Sequence, residues 1–487
     1  LRITLTISLS GFYAGASWSN NGLVSPGNGA AQLGLAGAGT AMAEDAAATL
    51  RNPAAGVWIG NSMTTDLGVA LPDGGFKAGP VGSGSQFGLF EFTPESDTNV
   101  KGVFPIPSFA RNWRLSENQA WGLGLTASGL KAISSNDTAT LARGIPPFTA
   151  HCDGALGGGK RLSDTTDLTG LCGNSNATFG VNLEQAFLSF HWSYRVTPEL
   201  SAGIAPVVLV QRLSVRGLGA FEAFSDYPSE TSDNGGSYSY GGGVRAGLLW
   251  NITPGIGFGL AYQSQLYETA FNRYKGVLTG GSLDFAPVYD LGFQFSLAPG
   301  HHLLLDAEYI DYGQIKPLTS GIDPQQFTDN CFVPRLLTKS QPHPAPADAC
   351  LGGSGGPGFG WRSIVVYKAG YEFRSGRLTL RAGYSYGENP VPGDQFLSSA
   401  LAPAITKQHA SVGLSWALNP HLSLSWALID AIENRVSARN VFSNADVQFV
   451  QGGQLVSVNV SSDPRDQIVE AHLGAWQSQF GLTWTMK

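Results

Sequence analysis

The feature that most limits what this chain can fold into is a period of two. Met63, Thr65, Leu67, Val69 and Leu71 fall on one face of an extended segment, with Asp66 and Gly68 on the other. Ala186, Leu188, Phe190, Trp192 and Tyr194 face away from Ser189, His191, Ser193 and Arg195. Tyr289, Leu291, Phe293, Phe295 and Leu297 oppose Asp290, Gly292, Gln294 and Ser296 in the same way. Further segments of this kind lie near 103–115, 120–131, 199–214, 244–250, 256–262, 301–313, 361–374, 377–388, 412–418, 422–428 and 480–486. Side chains alternate across a strand, so each segment predicts a strand with one apolar and one polar or small face. No stretch approaches the roughly 20 apolar residues that a membrane-crossing helix needs.

The connections between these segments alternate in length. Long ones at 73–102, 132–180, 215–235, 272–283, 314–360, 389–404 and 436–470 are separated by short ones at 116–119, 197–198, 252–255, 298–300, 375–376 and 419–420. Long loops on one side and tight turns on the other are the pattern of membrane barrels. Charged residues make up only 13% of the chain, against about 25% in ordinary globular proteins. The expected fold is therefore an all-β membrane protein, a fourteen-stranded antiparallel transmembrane β-barrel. Spanning backbone must be fully paired in lipid, which demands a closed ring. A soluble solenoid or propeller would need a fixed-period repeat, and none is found. A net charge of −7 argues against nucleic acid as a partner.

Ahead of the strands, residues 30–56 read AAQLGLAGAGTAMAEDAAATLRNPAAG, too small in side chain to build a core alone. Ala41 to Leu50 predicts a short helix with Glu44 and Asp45 near its start, where they suit the dipole. Asn52-Pro53 stops it, because the residue before a proline leaves the helical region. A compact piece followed by strands suggests a barrel that encloses its own N-terminus. The division expected is a signal-peptide remnant at 1–16, a plug at 17–58 and the barrel at 59–487. Ala14-Gly15-Ala16 would be the cleavage site, and an ordered first strand is the alternative.

Several short motifs carry a resemblance. The run from Gly34 through Ala43–Ala46 to Asn52–Ala54 resembles the N-terminal hatch of the FadL-type outer-membrane channels. Pro107–Ala110, Trp121–Gly129, Gln314–Lys316 and Asn389–Pro392 follow in the family's order. The resemblance implies a channel in the Gram-negative outer membrane for long-chain fatty acids or for aromatic and aliphatic hydrocarbons. It also implies that ligand leaves sideways where the third strand kinks inward, here at Gly122, Gly124, Ala127, Ser128 and Gly129. A glycine-rich strand shaped only by packing is the competing reading of those residues. Asn52, Pro53 and Ala54 would lie near that opening as part of the gate. For a carboxylate headgroup, Lys316 matches a basic family position, and Arg216 lies one residue from a second, with Arg212 four residues earlier.

No catalytic constellation and no metal-ligand spacing stands out, so neither enzyme chemistry nor a cofactor is expected. The expected partners are hydrophobic small molecules and the lipid and lipopolysaccharide around a monomer. A nonspecific porin for polar solutes and an adhesive barrel are the alternatives. Asp66, Arg195, Arg245, Asp290, Asp306 and Arg381 should face the lumen, either bridging plug to wall or touching substrate. The four cysteines fall as two local pairs, Cys152/Cys172 and Cys331/Cys350, which read as two disulfides in an exported protein. Non-reducing peptide mapping is expected to recover Cys152–Cys172 and Cys331–Cys350; a cross-pair, or free thiols in exported protein, would contradict that pairing.

Overall fold

The computed structural model describes residues 21–79, 96–133, 180–216, 218, 221, 224–332, 334, 348–395, 404–441, 446–451, 454–459 and 467–486. The proposed signal remnant 1–16 and the cysteines Cys152 and Cys172 lie outside them.

Fourteen strands form one antiparallel ring. The first seven are β1 (Ser62–Ala78), β2 (Phe104–Arg114), β3 (Gln119–Ile133), β4 (Gly180–Arg195), β5 (Leu200–Arg216), β6 (Ser237–Thr253) and β7 (Ile256–Gln263). The remainder are β8 (Val288–Ala298), β9 (His301–Ile310), β10 (Ile364–Ser375), β11 (Leu378–Gly387), β12 (Gln408–Asn419), β13 (Leu422–Arg439) and β14 (Ile468–Thr485). Each pairs with its chain neighbour, and β14 returns to β1 in unbroken register from Ser62↔Thr485 to Ala78↔Val469. That seam leaves no open edge. A short strand, Ser96–Lys101, continues beside the loop end of β1, and a separate hairpin pairs Asp446–Gln451 with Gln454–Asn459.

The period of two sorts the residues as expected. Leu67, Phe190, Leu291, Val412 and Phe480 are exposed on the outer face, whereas Asp66, His191, Asp290, Ser411 and Gln479 are buried inside. Two aromatic rows edge the apolar outer band. Trp121, Trp192, Trp250, Trp416 and Trp484 stand exposed near the tight-turn ends of their strands. Tyr240, Tyr262, Tyr289, Tyr309, Tyr367 and Tyr384 stand exposed near the long-loop ends. An apolar band between aromatic girdles is the outer surface of a membrane-spanning barrel.

Residues 21–60 lie within the ring and touch it on all sides. The helical turn Gly29–Leu33 packs on β12, β13 and β14. Residues 35–41 follow β7 to β11, and Asn52–Ala55 sits on β4, β5 and β6. The helix expected over Ala41–Leu50 is shorter: a 3₁₀ turn, Ala46–Leu50, capped by the Asp45 side chain on the Ala47 N–H. Glu44 precedes that turn and reaches Arg381 of β11 instead. A buried carboxylate gains more from a guanidinium than from the dipole of a single turn. Asn52 does end it, but its side chain also caps a second turn, Pro53–Ala55, that runs into Gly56–Ile59.

The segment can approach so closely because the wall is glycine where they meet. A Cβ on Gly383 would collide with the Leu35 carbonyl carbon and the Ala36 nitrogen, and one on Gly259 with the Thr40 carbonyl. Gly203 meets the Pro53 backbone and Gly247 the Asn52 side chain in the same way. The change Gly383→Val is expected to cost about 1–3 kcal/mol of overpacking. The outer band being untouched, the ring should still assemble while the segment shifts. Trypsin cleavage after Arg51, buried in the native protein, should appear in the folded variant and be absent from the parent.

Candidate functional site

The inner face gathers charge that the period of two had assigned to the lumen. Arg51 Nη1 donates to Asp290 Oδ1 at 2.9 Å and to Glu308 Oε2 at 3.3 Å, while Nη2 donates to the Pro26 carbonyl at 2.7 Å. Lys368 Nζ donates to the same Glu308 oxygen at 3.1 Å and to the Pro26 carbonyl at 3.0 Å. Burial alone would lower the Arg51 guanidinium, but Asp290 and Glu308 more than offset it and hold it above its ordinary value. Nearby, Arg381 Nε donates to Glu372 Oε2 at 2.9 Å, and Nη2 pairs with Glu44. Burial, with the Asp66 carboxylate beside it, pushes Asp45 up to about 6 against the pull of Arg381 and the Ala47 N–H.

Other wall groups hold the segment by its backbone. Asp306 Oδ2 accepts from the N–H of Gly39 at 2.9 Å and of Thr40 at 2.8 Å, and Asp66 Oδ1 from that of Ala30 at 2.9 Å. Arg195 lies over the Trp58 ring, 4.3 Å from its centroid. Of the six lumen-facing charges expected, Asp66, Arg195, Asp290, Asp306 and Arg381 thus bind the segment directly. Arg245 donates instead to the Gln263 side chain.

Among the described residues, two cavities lie above and beside the segment. The one toward the long loops is about 40 Å³ and wholly apolar, walled by Leu130, Leu183, Leu213, Leu283, Leu318 and Trp361 among others. The other is about 80 Å³ and mixed in character, bounded by Ser25, Leu50, Arg51, Phe187, Arg245 and Asp290, and by Thr126, Ala127 and Ser128 of β3. Leu23 lines both. It is fixed by its backbone N–H, which donates to the Tyr312 hydroxyl at 2.9 Å.

At that second cavity the wall loosens. Pairing between β2 and β3 runs from Arg114↔Ala120 to Ser108↔Thr126 and goes no further. Beyond it, Phe104–Pro107 pairs only with β1, and Ala127–Ile133 only with β4. Pro105 and Pro107 supply no N–H to a neighbouring strand, which disfavours continuing the ladder there. Across the divide, Lys131 Nζ sits 5.5 Å from the centroid of the Phe104 ring.

The sequence-derived positions fall as follows. Ala127 and Ser128 line the cavity at the parted strands, and Gly129 follows them in the stretch that lacks a β2 partner. Gly122 and Gly124 lie lower, in the paired part of β3, facing His191 and Leu50 respectively. Asn52, Pro53 and Ala54 rest on Gly247, Gly203, Ser193 and Ser201 of β4 to β6, while Leu50 and the turn Gly56–Ile59 reach β3. Arg212 is bound to Glu184 at 3.2 Å, and Lys316 and Arg216 are exposed. Their neighbours Leu318 and Val215 face the apolar cavity instead. Cys331 and Cys350 are disulfide-bonded, and Leu351 beside them donates its N–H to the Phe224 carbonyl at 3.0 Å, tying two long loops together.

Sequence reasoning did not single out Arg51, Glu308, Lys368 or Glu372. The last three occupy the polar parity of β9 and β10 and were open to the same test that found Asp306. Leu23, Phe359 and Trp361 lie outside the strands, where no periodicity marks a cavity wall.

No family model matches this chain, and no curated relative matches it by sequence. Solved structures do. The Pseudomonas putida toluene transporter TodX superposes with a TM-score of 0.58 at 15% identity, over 95% of this chain and 99% of that one. A Pseudomonas aeruginosa FadL homologue gives 0.59 at 15%, covering 96% and 100%. The Ralstonia pickettii toluene transporter TbuX gives 0.51 at 14%, covering 95% and 99%. With the aromatic girdles and the closed ring, these likenesses define a fourteen-stranded membrane-spanning barrel. Within that class, the fold is the one shared by the FadL-type transporters.

Removing Arg51 would leave the Asp290 and Glu308 carboxylates short of a counter-charge. Breaking one side of a buried pair costs on the order of 3–5 kcal/mol. Arg51→Met is expected to lower stability in chemical denaturation by about that much, whereas Arg435→Ala, at an exposed pair with Glu433 and Glu470, should leave it unchanged.

Proposed function

We propose that this protein is a channel for passive uptake of hydrophobic compounds across the Gram-negative outer membrane. The compounds are long-chain fatty acids or aromatic and aliphatic hydrocarbons. Residues 17–58 act as the hatch that closes the axial route, and ligand leaves sideways through the wall beside β3. The channel works as a monomer among outer-membrane lipid and lipopolysaccharide, without cofactor or catalysis.

The observation that carries this reading is the parting of β2 and β3 at Ser108↔Thr126, directly beside a cavity of the lumen. An unpaired stretch in a membrane barrel is costly unless protein or a cavity lies against it, and a route through the wall gives it a use. Two further features support it. The apolar cavity below the long loops would receive a water-shy solute, and Leu23 alone is common to that cavity and the one at the parted strands. Segment 21–60, held by ion pairs on several strands, is poorly placed to leave the lumen and open an axial pore. The similar structures, two of them toluene transporters and one a FadL homologue, point the same way.

Ser128→Trp fills the cavity at the parted strands while keeping the β3–β4 ladder. Cells making this variant are expected to take up labelled fatty acid and toluene at least tenfold more slowly than the parent, with normal amounts of folded protein. Removing Asn52–Ala54 should slow uptake as well. The parent should pass little steady current in planar bilayers. Undiminished uptake through a folded Ser128→Trp barrel would favour an axial path; a large steady current would favour a porin.

A further inference from the structure

The cavity beside Ser128 is not lined as hydrocarbon alone would require. Arg245 of β6 is half-buried and borders this cavity. Among the described residues its one hydrogen-bond partner is the side-chain oxygen of Gln263, and no carboxylate comes within the 4.0 Å of an ion pair. Asp290 shares the cavity wall, but its Oδ1 is taken by Arg51 at 2.9 Å. The two buried cations near here, Arg51 and Lys368, each have Glu308. Arg245 is therefore a half-buried guanidinium facing the cavity, and among the described residues no carboxylate pairs with it. Such a group stabilises an anion that arrives in the cavity, and its planar fork suits a carboxylate in two-point contact.

The rest of the lining is what an amphiphile would need. Leu50, Phe187, Phe285 and Val288 face the same space, the two phenylalanines meeting edge to face with centroids 5.0 Å apart. Its volume of about 80 Å³ suits a headgroup and the first carbons of a chain. Past Leu23, the wholly apolar cavity continues the path.

We propose that Arg245 is the carboxylate-binding residue of a transit site. The acid head of a monocarboxylic amphiphile rests at Arg245 beside Ser128 while its chain reaches past Leu23 into the apolar cavity. This inference rests on the uptake reading and narrows its substrate class to acids, ahead of neutral hydrocarbons. It also moves headgroup recognition away from Lys316 and Arg216, which are exposed, and from Arg212, which Glu184 already neutralises.

Laurate, dodecanol and toluene test it, by calorimetric binding to the full chain in lipid nanodiscs. The native protein should bind laurate about tenfold or more tightly than dodecanol, the difference that a hydrogen-bonded charge contributes. Arg245→Gln should abolish that preference by weakening laurate while leaving dodecanol and toluene unchanged, and Arg245→Lys should retain most of it. Equal affinity of the native protein for laurate and dodecanol overturns the assignment, as does equal weakening of all three probes in Arg245→Gln. The native comparison decides the matter even if the glutamine variant fails to fold. Binding of toluene and dodecanol without preference for laurate removes this inference alone. Binding of none of the three, with no uptake by cells, removes the uptake reading and this inference with it.

Discussion

An irregular chain buried inside a ring must find partners for its backbone beyond itself, and here wall carboxylates supply several of them. Asp306 takes two adjacent N–H groups, of Gly39 and Thr40, on one oxygen, and Asp66 takes that of Ala30. Wall hydroxyls do the same at Ala36, bonded by Ser411, and at Val57, bonded by Ser193. Unpaired, each buried donor would cost on the order of 1–3 kcal/mol. With them paired, residues 21–60 need only short helical turns and can be built from alanine and glycine. The inward glycines of the wall follow from the same need, since short Asp and Ser side chains reach these donors only where the two chains lie close.

Charge balance follows from that closeness. Once the segment is pressed against the wall, any cation it carries loses water, and Arg51 is stable there because Asp290 and Glu308 receive it. Lys368 shares Glu308 with it, and both cations also reach the Pro26 carbonyl. The filled part of the lumen is thus polar and tightly bonded. Toward the long loops the lining turns to leucine, valine and aromatic side chains, and empty space remains. Where the two regimes meet, Arg245 keeps a charge without a paired carboxylate, and the strand pairing of the wall stops.

Much of this architecture was legible in the chain. The alternation at Leu67/Asp66 or Leu291/Asp290 settles which face meets lipid, because a strand has no other way to bury one set of side chains. The alternation of long and short connections counts the strands correctly. The interior was less legible. Glu44 reads as a dipole partner for its own turn until Arg381, more than three hundred residues away, is seen beside it. The glycines of β3 are alike in sequence, but Gly122 and Gly124 are packing positions while the wall loosens only beyond Thr126. In that stretch Pro105 and Pro107 of β2 withhold N–H groups, and Gly129 of β3 takes a positive φ. Cavity walls drawn from loops, such as Phe359 and Trp361, carry no period at all.

The two aromatic rows also measure something. On β6, exposed Tyr240 and Trp250 mark the two edges of the apolar band. Ten steps of about 3.3 Å, on a strand inclined by about 40°, span about 25 Å along the bilayer normal. An average bilayer has a hydrocarbon core nearer 30 Å, and outer membranes are thinner than average. The barrel is therefore matched in height to a thin leaflet pair and would pinch a thicker one around its waist. Lipid compressed in that way is strained along the whole circumference, including the part that borders the parted strands.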